Sequence, residues 1–199
     1  MPLEISELKE SNDFLNTLLD HITSAVFIAD VHMRVHSVNN ASRTLFYKHE
    51  DQLIGSLYGN AVGCSFAVLE GRACGSTSHC DQCLLRSSLF RAFTDKIPTY
   101  MERIKREFYI DEKPVLKYLQ FSTKYIIYQG EEMVLIVVDD ITEIETQRIK
   151  LYEDLQAAAE IQRSLLPSIT DNIDSFALAW HFMPCQQIGG DIFNLLQLD

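Results

Sequence analysis

Three segments with the composition of β-strands follow one another between residues 100 and 138. They cover residues 100–109, 116–128 and 133–138, and only a short turn containing Gln129 and Gly130 separates the last two. A turn of that length forms a hairpin, so the last two of these strands are expected to be antiparallel neighbours. Two shorter apolar segments, residues 25–29 and 35–38, come earlier and are separated by a polar turn. This order predicts an α+β domain with two strands, then small helices, then three antiparallel strands.

Two helices are predicted between the two groups of strands. One begins at Asn39, Asn40 and Ala41 and continues through Phe46, and the other runs from Arg86 to about Phe93. The residues between these helices carry no clear periodicity, so we expect a long irregular stretch there.

The order of these elements, together with particular residues, resembles a PAS sensor domain over residues 18–142. Four segments carry the resemblance: Leu18 to Asp30 entering the first strand, Val38-Asn39-Asn40-Ala41, Leu53-Ile54-Gly55, and Val138-Asp139-Asp140-Ile141-Thr142 at the exit. The resemblance implies an antiparallel five-stranded sheet with flanking helices, in a sensory domain bounded by residues 23–142.

Four of the five cysteines lie within twenty residues, inside a cysteine-rich insertion at 60–85. Cys64, Cys74, Cys80 and Cys83 have the spacing C-x9-C-x5-C-x2-C, and neighbouring glycines allow the tight turns that could aim several thiolates at one point. Four thiolates in a short loop can bind an iron–sulfur cluster or hold zinc tetrahedrally. We therefore predict a cofactor site on these four cysteines.

The spacing favours an iron–sulfur cluster, and zinc remains an alternative. Structural zinc sites usually have two CxxC pairs, whereas only Cys80 and Cys83 form one here. Clusters tolerate less regular spacing and suit a sensory domain because oxidation breaks them. A reversible Cys80–Cys83 disulfide and simple packing of Cys64 as a small apolar residue also stay open. Leu84 excludes c-type haem attachment, which needs His there.

Amphipathic segments flank the sensory domain on both sides. Residues 1–22 carry apolar positions at alternating three- and four-residue spacing, and the same spacing continues from Ile144 through Leu151, Leu155 and Leu165 until Pro167. Such narrow apolar stripes are typical of helices that meet a partner helix. We predict an N-terminal helix, a signalling or coiled-coil helix over 143–167, and a homodimer.

The last part of the chain resembles the beginning of a PPM-type serine/threonine phosphatase domain that regulates sigma factors. The resemblance rests on the run from Leu155 to Pro167, on Met183-Pro184, and on Gly189-Gly190-Asp191. It implies that residues 168–199 are the truncated start of that domain. Asp191 and Gly190 would then be ligands of Mn²⁺ or Mg²⁺, which prefer hard oxygen donors. Asn194 stands where the family commonly has an acidic residue, which puts the metal affinity in doubt.

Composition narrows the possible partners. The net charge of −11 argues against nucleic acid, whose binding depends on basic side chains. No apolar run reaches the ~20 residues of a membrane span, and the N-terminus lacks a signal-peptide pattern, so we expect a cytoplasmic protein.

Two functions remain open at this level. The first is a sensory PAS module, responding to redox state or a metal centre, that controls a metal-dependent phosphoserine phosphatase. The resemblance implies phosphorylated anti-sigma-factor antagonists as that enzyme's substrates. The second is a non-catalytic, dimeric PAS interaction scaffold. A catalytic pair of metal ions needs several carboxylates, so the 199 residues alone are expected to be inactive.

Overall fold

The structure, a computed structural model, describes residues 17–128, 130–167 and 181–193. Most of the predicted N-terminal helix, residues 168–180 and Asn194 therefore lie outside the described residues, although residues 17–21 are helical. The chain divides after Thr142 into two compact units. No helix in the described ranges combines the length and the apolar composition that crossing a membrane requires.

Besides the helical residues 17–21, the first unit contains five strands and five α-helices among its described residues. The strands are β1 (Ala25–Ala29), β2 (Val35–Val38), β3 (Thr99–Ile110), β4 (Lys113–Tyr128) and β5 (Glu131–Asp140). The helices are α1 (Asn40–Phe46), α2 (Glu50–Leu53), α3 (Tyr58–Ala61), α4 (Ser65–Glu70) and α5 (Leu84–Thr94), with a 3₁₀ turn at Cys80–Gln82.

The five strands form one antiparallel sheet in the order β2-β1-β5-β4-β3. The predicted hairpin joins β4 to β5, where Tyr128 pairs with Glu131. A second hairpin joins β3 to β4, and Ile110 pairs with Lys113 across it. Asp111 and Glu112 in that turn both have positive φ angles, of 50° and 61°. The fold class predicted from the sequence, α+β with a five-stranded antiparallel sheet and flanking helices, is confirmed.

The core lies between one face of the sheet and the helices. Phe46 of α1 is fully buried, with its ring centroid 6.0 Å from that of Phe27 and 5.7 Å from that of Phe108. Tyr58 of α3 packs edge-on against Phe27 at 5.1 Å. Aromatic rings contribute the largest buried apolar areas of any side chains. This cluster therefore fixes the helices on β1 and β3.

Residues 47–83 are more regular than the sequence predicts. Three short helices and a 3₁₀ turn occupy the stretch that we expected to be irregular, and α5 begins at Leu84 rather than Arg86. Each of the three helices has only four to six residues. That is too short to display a 3.6-residue apolar period, which is why the pattern misses them.

The second unit begins within the long helix α6 (Thr142–Ser164). The apolar stripe that the sequence predicts on this helix is exposed, with Ile144 at 65%, Leu151 at 60% and Leu165 at 56%. Residues 181–193 contain no helix or strand.

A candidate cofactor site formed by four cysteines

Cys64, Cys74, Cys80 and Cys83 all line one cavity of about 30 Å³ in the first unit. All four are partly buried free thiols. Tyr58 and Phe108 from the core and the two arginines, Arg86 and Arg106, also line the cavity. Cysteines that are nineteen residues apart in the sequence therefore face a common space.

Helix ends place three of the four cysteines. Cys64 directly precedes α4, Cys80 begins the 3₁₀ turn, and Cys83 directly precedes α5. The N-terminus of a helix favours negative charge, so the N-terminal end of α5 is a favourable place for negative charge at Cys83. Cys74 lies in the loop after α4, where its backbone amide donates a hydrogen bond to Asn60 Oδ1 over 2.7 Å.

A backbone connection ties the Cys64 segment to β3. Cys64 and Phe108 form an isolated antiparallel bridge, and the Tyr109 amide donates to the Gly63 carbonyl over 2.7 Å. Gly63 has a φ of +72°, and a Cβ at this position would lie 2.4 Å from the Tyr109 carbonyl oxygen. Only glycine satisfies both conditions, so Gly63 fixes the approach of Cys64 to β3.

Arg106 of β3 joins two of the cysteines. Its Nη1 lies 3.2 Å from Cys83 Sγ and 3.9 Å from Cys64 Sγ. Burial opposes the charge of the guanidinium, but the bond to Cys83 and the two sulfur charges outweigh it and raise the pKa of Arg106. The guanidinium is therefore placed to compensate negative charge on these sulfurs. No signal in the sequence singles out Arg106, because its contact with Cys83 forms only when β3 takes its place in the sheet.

The other two cysteines have opposite electrostatic environments. Burial is the main reason that the pKa of Cys74 is raised, and the charges of Cys80 and Cys64 add to it. Burial also opposes the Cys80 thiolate, but hydrogen bonds from Thr77 and the Gly75 amide, with the charge of Arg86, lower the pKa of Cys80. The Thr77 Oγ1 to Cys80 Sγ distance is 2.9 Å, and the Gly75 N to Cys80 Sγ distance is 3.1 Å.

A stack of side chains lies at the edge of the cavity. The imidazole of His79 is parallel to the ring of Phe66 at 3.8 Å, and the guanidinium of Arg106 lies 5.1 Å from the same ring. His79 Nδ1 also contacts Ser78 Oγ at 2.9 Å. The stack covers part of the cavity with planar groups.

The four sulfurs do not form a ready-made chelate for a single ion. Across the described part of the chain, no three His, Cys, Asp or Glu side chains converge tightly enough to hold one metal ion. The fifth cysteine, Cys185, belongs to the second unit and is exposed.

The Gly-Gly-Asp segment of the second unit is held by a side chain of α6. Gln162 Nε2 donates to the carbonyls of Gly189 and Asp191 over 2.7 and 3.2 Å, and Gln162 Oε1 accepts from the Gly189 amide over 2.8 Å. A Cβ on Gly189 would lie 2.7 Å from the ring of Phe182. Gly190 has open space around it. The segment thus has a defined backbone position on α6.

No protein-family model matches this chain, and no curated protein matches it in sequence. Solved structures do match it. An RNA-binding light-oxygen-voltage receptor is similar over 82% of this chain and 42% of its own length, with a TM-score of 0.51 and 13% identity.

Individual PAS domains are also similar to this chain. That of a Colwellia psychrerythraea protein covers 68% of this chain and 98% of its own, at 14% identity and a TM-score of 0.47. That of nitrogen regulation protein NR(II) from Vibrio parahaemolyticus covers 64% and 97%, at 15% identity and a TM-score of 0.42. With its strand order and flanking helices, the first unit has the PAS fold. At these identities the likeness concerns the fold alone.

Proposed function

We propose that this chain is a sensory and regulatory PAS module whose signal is received by an iron–sulfur cluster on Cys64, Cys74, Cys80 and Cys83. The observation that carries the proposal is that all four thiols line one cavity together with two arginines. Outside metal and cluster sites, a concentration of four partly buried thiols and two cations has no obvious packing role.

The chemistry of the donors fits such a group. The donors are soft thiols, which suit iron–sulfur clusters and zinc. A cluster with four thiolate ligands, like a zinc ion with four thiolates, leaves net negative charge in a partly buried place. Arg86 and Arg106 supply compensating positive charge: the charge of Arg86 lowers the pKa of Cys80, and Arg106 Nη1 lies 3.2 Å from Cys83 Sγ.

The sequence spacing of the cysteines supports a cluster over a single zinc ion. Structural zinc sites usually have two CxxC pairs, whereas only Cys80 and Cys83 form one here. In a four-iron cluster each thiolate binds a different iron, and four cysteines around one cavity fit that arrangement. A bound cluster would supply sensitivity to oxidants.

The partner of the sensory unit, in this proposal, is a metal-dependent phosphoserine phosphatase domain that begins in residues 168–199. Its substrates would be phosphorylated anti-sigma-factor antagonists, as the family resemblance implies. Asp191 and Gly190 would bind Mn²⁺ or Mg²⁺ once the further carboxylates of a complete domain are present. The three hydrogen bonds of Gln162 support this, because they give the Gly-Gly-Asp backbone a fixed position on α6.

A homodimer through α6 belongs to the same proposal. Its support is the exposed apolar stripe at Ile144, Leu151, Leu155 and Leu165. A 23-residue helix with an unpaired apolar stripe gains stability by pairing with a second copy.

Metal analysis of protein purified without oxygen tests the cluster. We expect brown protein that contains iron and acid-labile sulfide and absorbs in the visible range. The double variant Cys80→Ser/Cys83→Ser should lose the iron and the colour. Cys185→Ser is the matched control, since it removes an exposed cysteine outside the cavity and should keep both.

Three results decide between the alternatives. Colourless protein with about one zinc per chain would replace the cluster by zinc. Protein without metal whose melting temperature matches that of the double variant would overturn the proposed site. Iron retained by the double variant would show that it binds elsewhere.

A further inference from the structure

A second cavity of the first unit, a surface cleft of about 560 Å³, shares no lining residue with the cavity of the cysteines. It lies between the end of α1, the helices α2 to α4 and the turn that joins β3 to β4. Sites for small molecules usually have volumes of about 300–1,000 Å³. The cleft is therefore large enough to hold a small molecule, and the charges of its lining indicate which kind.

Lys48, which lies just after α1, is the cation of this lining. Its Nζ donates to the Asn60 carbonyl oxygen over 3.1 Å. Burial lowers the pKa of Lys48, because the ammonium group loses part of its hydration. No carboxylate of the described residues lies within 4.0 Å of Lys48 Nζ. An anionic group of a ligand would supply the partner that these residues do not.

Asp111 and Glu112 bring negative charge to the same cleft. They form the turn between β3 and β4, and both are exposed. Neither carboxylate forms an ion pair within the described part of the chain. One ammonium group and two carboxylates therefore line a single cleft without pairing with one another.

The rest of the cleft offers aromatic and apolar surface. Tyr47 ends α1 in the left-handed conformation, with φ 50° and ψ 47°, and it is 75% exposed. A bulky residue in this conformation is an outlier, and such outliers concentrate at binding sites. Tyr109 and Val68 also line the cleft, and Val68 is 48% exposed. A ligand with an apolar body would gain by covering these residues.

We infer that this cleft binds a small zwitterion with an apolar body, a free amino acid or a short peptide. A simple anion would pair with Lys48 but would be repelled by Asp111 and Glu112, and a simple amine would meet the opposite conflict. A zwitterion pairs with both kinds of charge, and such complementarity selects one class of ligand against the others. The inference goes beyond the proposed function, because no cysteine lines this cleft.

Titration calorimetry of the full chain at pH 7 tests the site. The parent probes are L-leucine and L-leucyl-L-leucine, and each is also used as its N-acetyl derivative, which lacks the ammonium group, and as its amide, which lacks the carboxylate. We expect a parent probe to bind, and the loss of either charge to weaken binding about tenfold, the size of one hydrogen bond to a charged group. Which of the two parents binds distinguishes a free amino acid from a peptide.

Two variants assign the charges of the ligand to their partners. Lys48→Gln should weaken binding of the parent about tenfold and should remove its advantage over the amide, since the carboxylate then has no cation. Asp111→Asn combined with Glu112→Gln should instead remove the advantage over the N-acetyl derivative. Lys113→Gln is the matched control: it removes an exposed lysine beside the turn that does not line the cleft, and it should bind like the wild type. Thermal unfolding checks that each variant is folded.

The outcomes are separate from those of the cofactor site. Failure of both parent probes to bind would overturn the inference, as would equal affinity for a parent and either of its derivatives. Binding that is unchanged in both cleft variants would also overturn it, because the ligand would then lie elsewhere. A chain that binds a parent probe in this way but holds no metal would support the cleft and contradict the proposed cofactor.

Discussion

A Cβ atom on Gly59 would lie 2.5 Å from Cys74 Sγ and 2.9 Å from Cys74 Cβ. Gly59 is a buried residue of α3, and its missing side chain is the space that Cys74 occupies beside the cavity. The position of a thiol that is remote in sequence thus depends on a helix glycine.

Gly59→Ala should displace Cys74 and lower metal occupancy after anaerobic reconstitution. Gly71→Ala is the useful comparison, because Gly71 has a φ of +60° but open space around its Cα. That variant should cost about 1 kcal/mol of backbone strain and keep the metal. Metal content and urea unfolding of both variants check the prediction. Full occupancy in Gly59→Ala would contradict it.

Phe46→Ala should reduce the free energy of unfolding by about 3–5 kcal/mol, because a fully buried aromatic ring is removed and a cavity remains. Phe90 of α5 is 60% exposed, so Phe90→Ala should have an effect within about 0.5 kcal/mol. Urea denaturation of the two variants provides the comparison. Similar losses of unfolding free energy in the two variants would contradict the burial of Phe46 and the exposure of Phe90.

Acid should weaken the fold through Asp140. Burial opposes its charge, but hydrogen bonds from Lys117 and Thr142 outweigh burial and lower the pKa of Asp140. The carboxylate's contribution is therefore complete above the unfolded pKa of about 3.9 and is lost as pH falls through the lower folded pKa. Asp140→Asn should be about 1 kcal/mol less stable at pH 7, because it removes the charge that pairs with Lys117.

The difference between Asp140→Asn and the wild type should shrink below about pH 4, where Asp140 of the unfolded chain takes up a proton, and should vanish below the lower folded pKa. Unfolding curves at pH 7 and pH 3 measure it. Asp111→Asn, in the β3–β4 turn, should follow the wild type at both values. A difference for Asp140→Asn that is constant with pH would contradict the assignment.

Leu151→Asp combined with Leu155→Asp should convert the chain from a dimer to a monomer at tens of micromolar, because it places charges within the predicted apolar seam. Both residues are exposed, at 60% and 37%. Sedimentation velocity compares this variant with Lys150→Ala, which leaves the apolar stripe intact. A wild-type chain that is already monomeric would remove the basis for the dimer.

The phosphatase assignment predicts no phosphoester hydrolysis by these 199 residues, since one carboxylate cannot hold two divalent ions. A longer chain carrying the complete domain should hydrolyse a phosphoserine peptide with Mn²⁺ or Mg²⁺. Asp191→Asn in that chain should abolish turnover without changing iron content. Cys185→Ser serves as the control and should remain active. Turnover by the 199 residues, after contaminants are removed, would refute the assignment.

The sheet type and the order of the strands along the chain could be predicted from the sequence because they depend on local patterns, whereas the pairing of β1 with β5 joins distant segments. β1 and β2 have the predicted bounds, and the Gln129–Gly130 hairpin joins the predicted pair. The predicted β3 and β5 are one to two residues too short at each end. Ends of elements carry the weakest local signal.

The cysteines could be singled out from their spacing, but their surroundings could not. Arg106 reaches Cys83 only because β3 lies beside the insertion, and it faces Lys117 only because of the register between β3 and β4. The first fact depends on contacts between separate elements and the second on the exact position of the β3–β4 turn, and single-sequence patterns encode neither reliably. The close approach of Cys74 to Gly59 could not be predicted either, because it also depends on contacts that form only in the folded chain.

β3 is an edge strand of the sheet, and the backbone of Gly63 and Cys64 covers part of its outer side at Tyr109 and Phe108. Exposed strand edges are templates for pairing with other chains. The segment at Gly63 and Cys64 therefore also keeps part of this strand edge from pairing with other chains. Under the proposed function, oxidative loss of the metal centre would weaken the pairing of Cys64 with Phe108 and so expose this edge of the sheet to other chains.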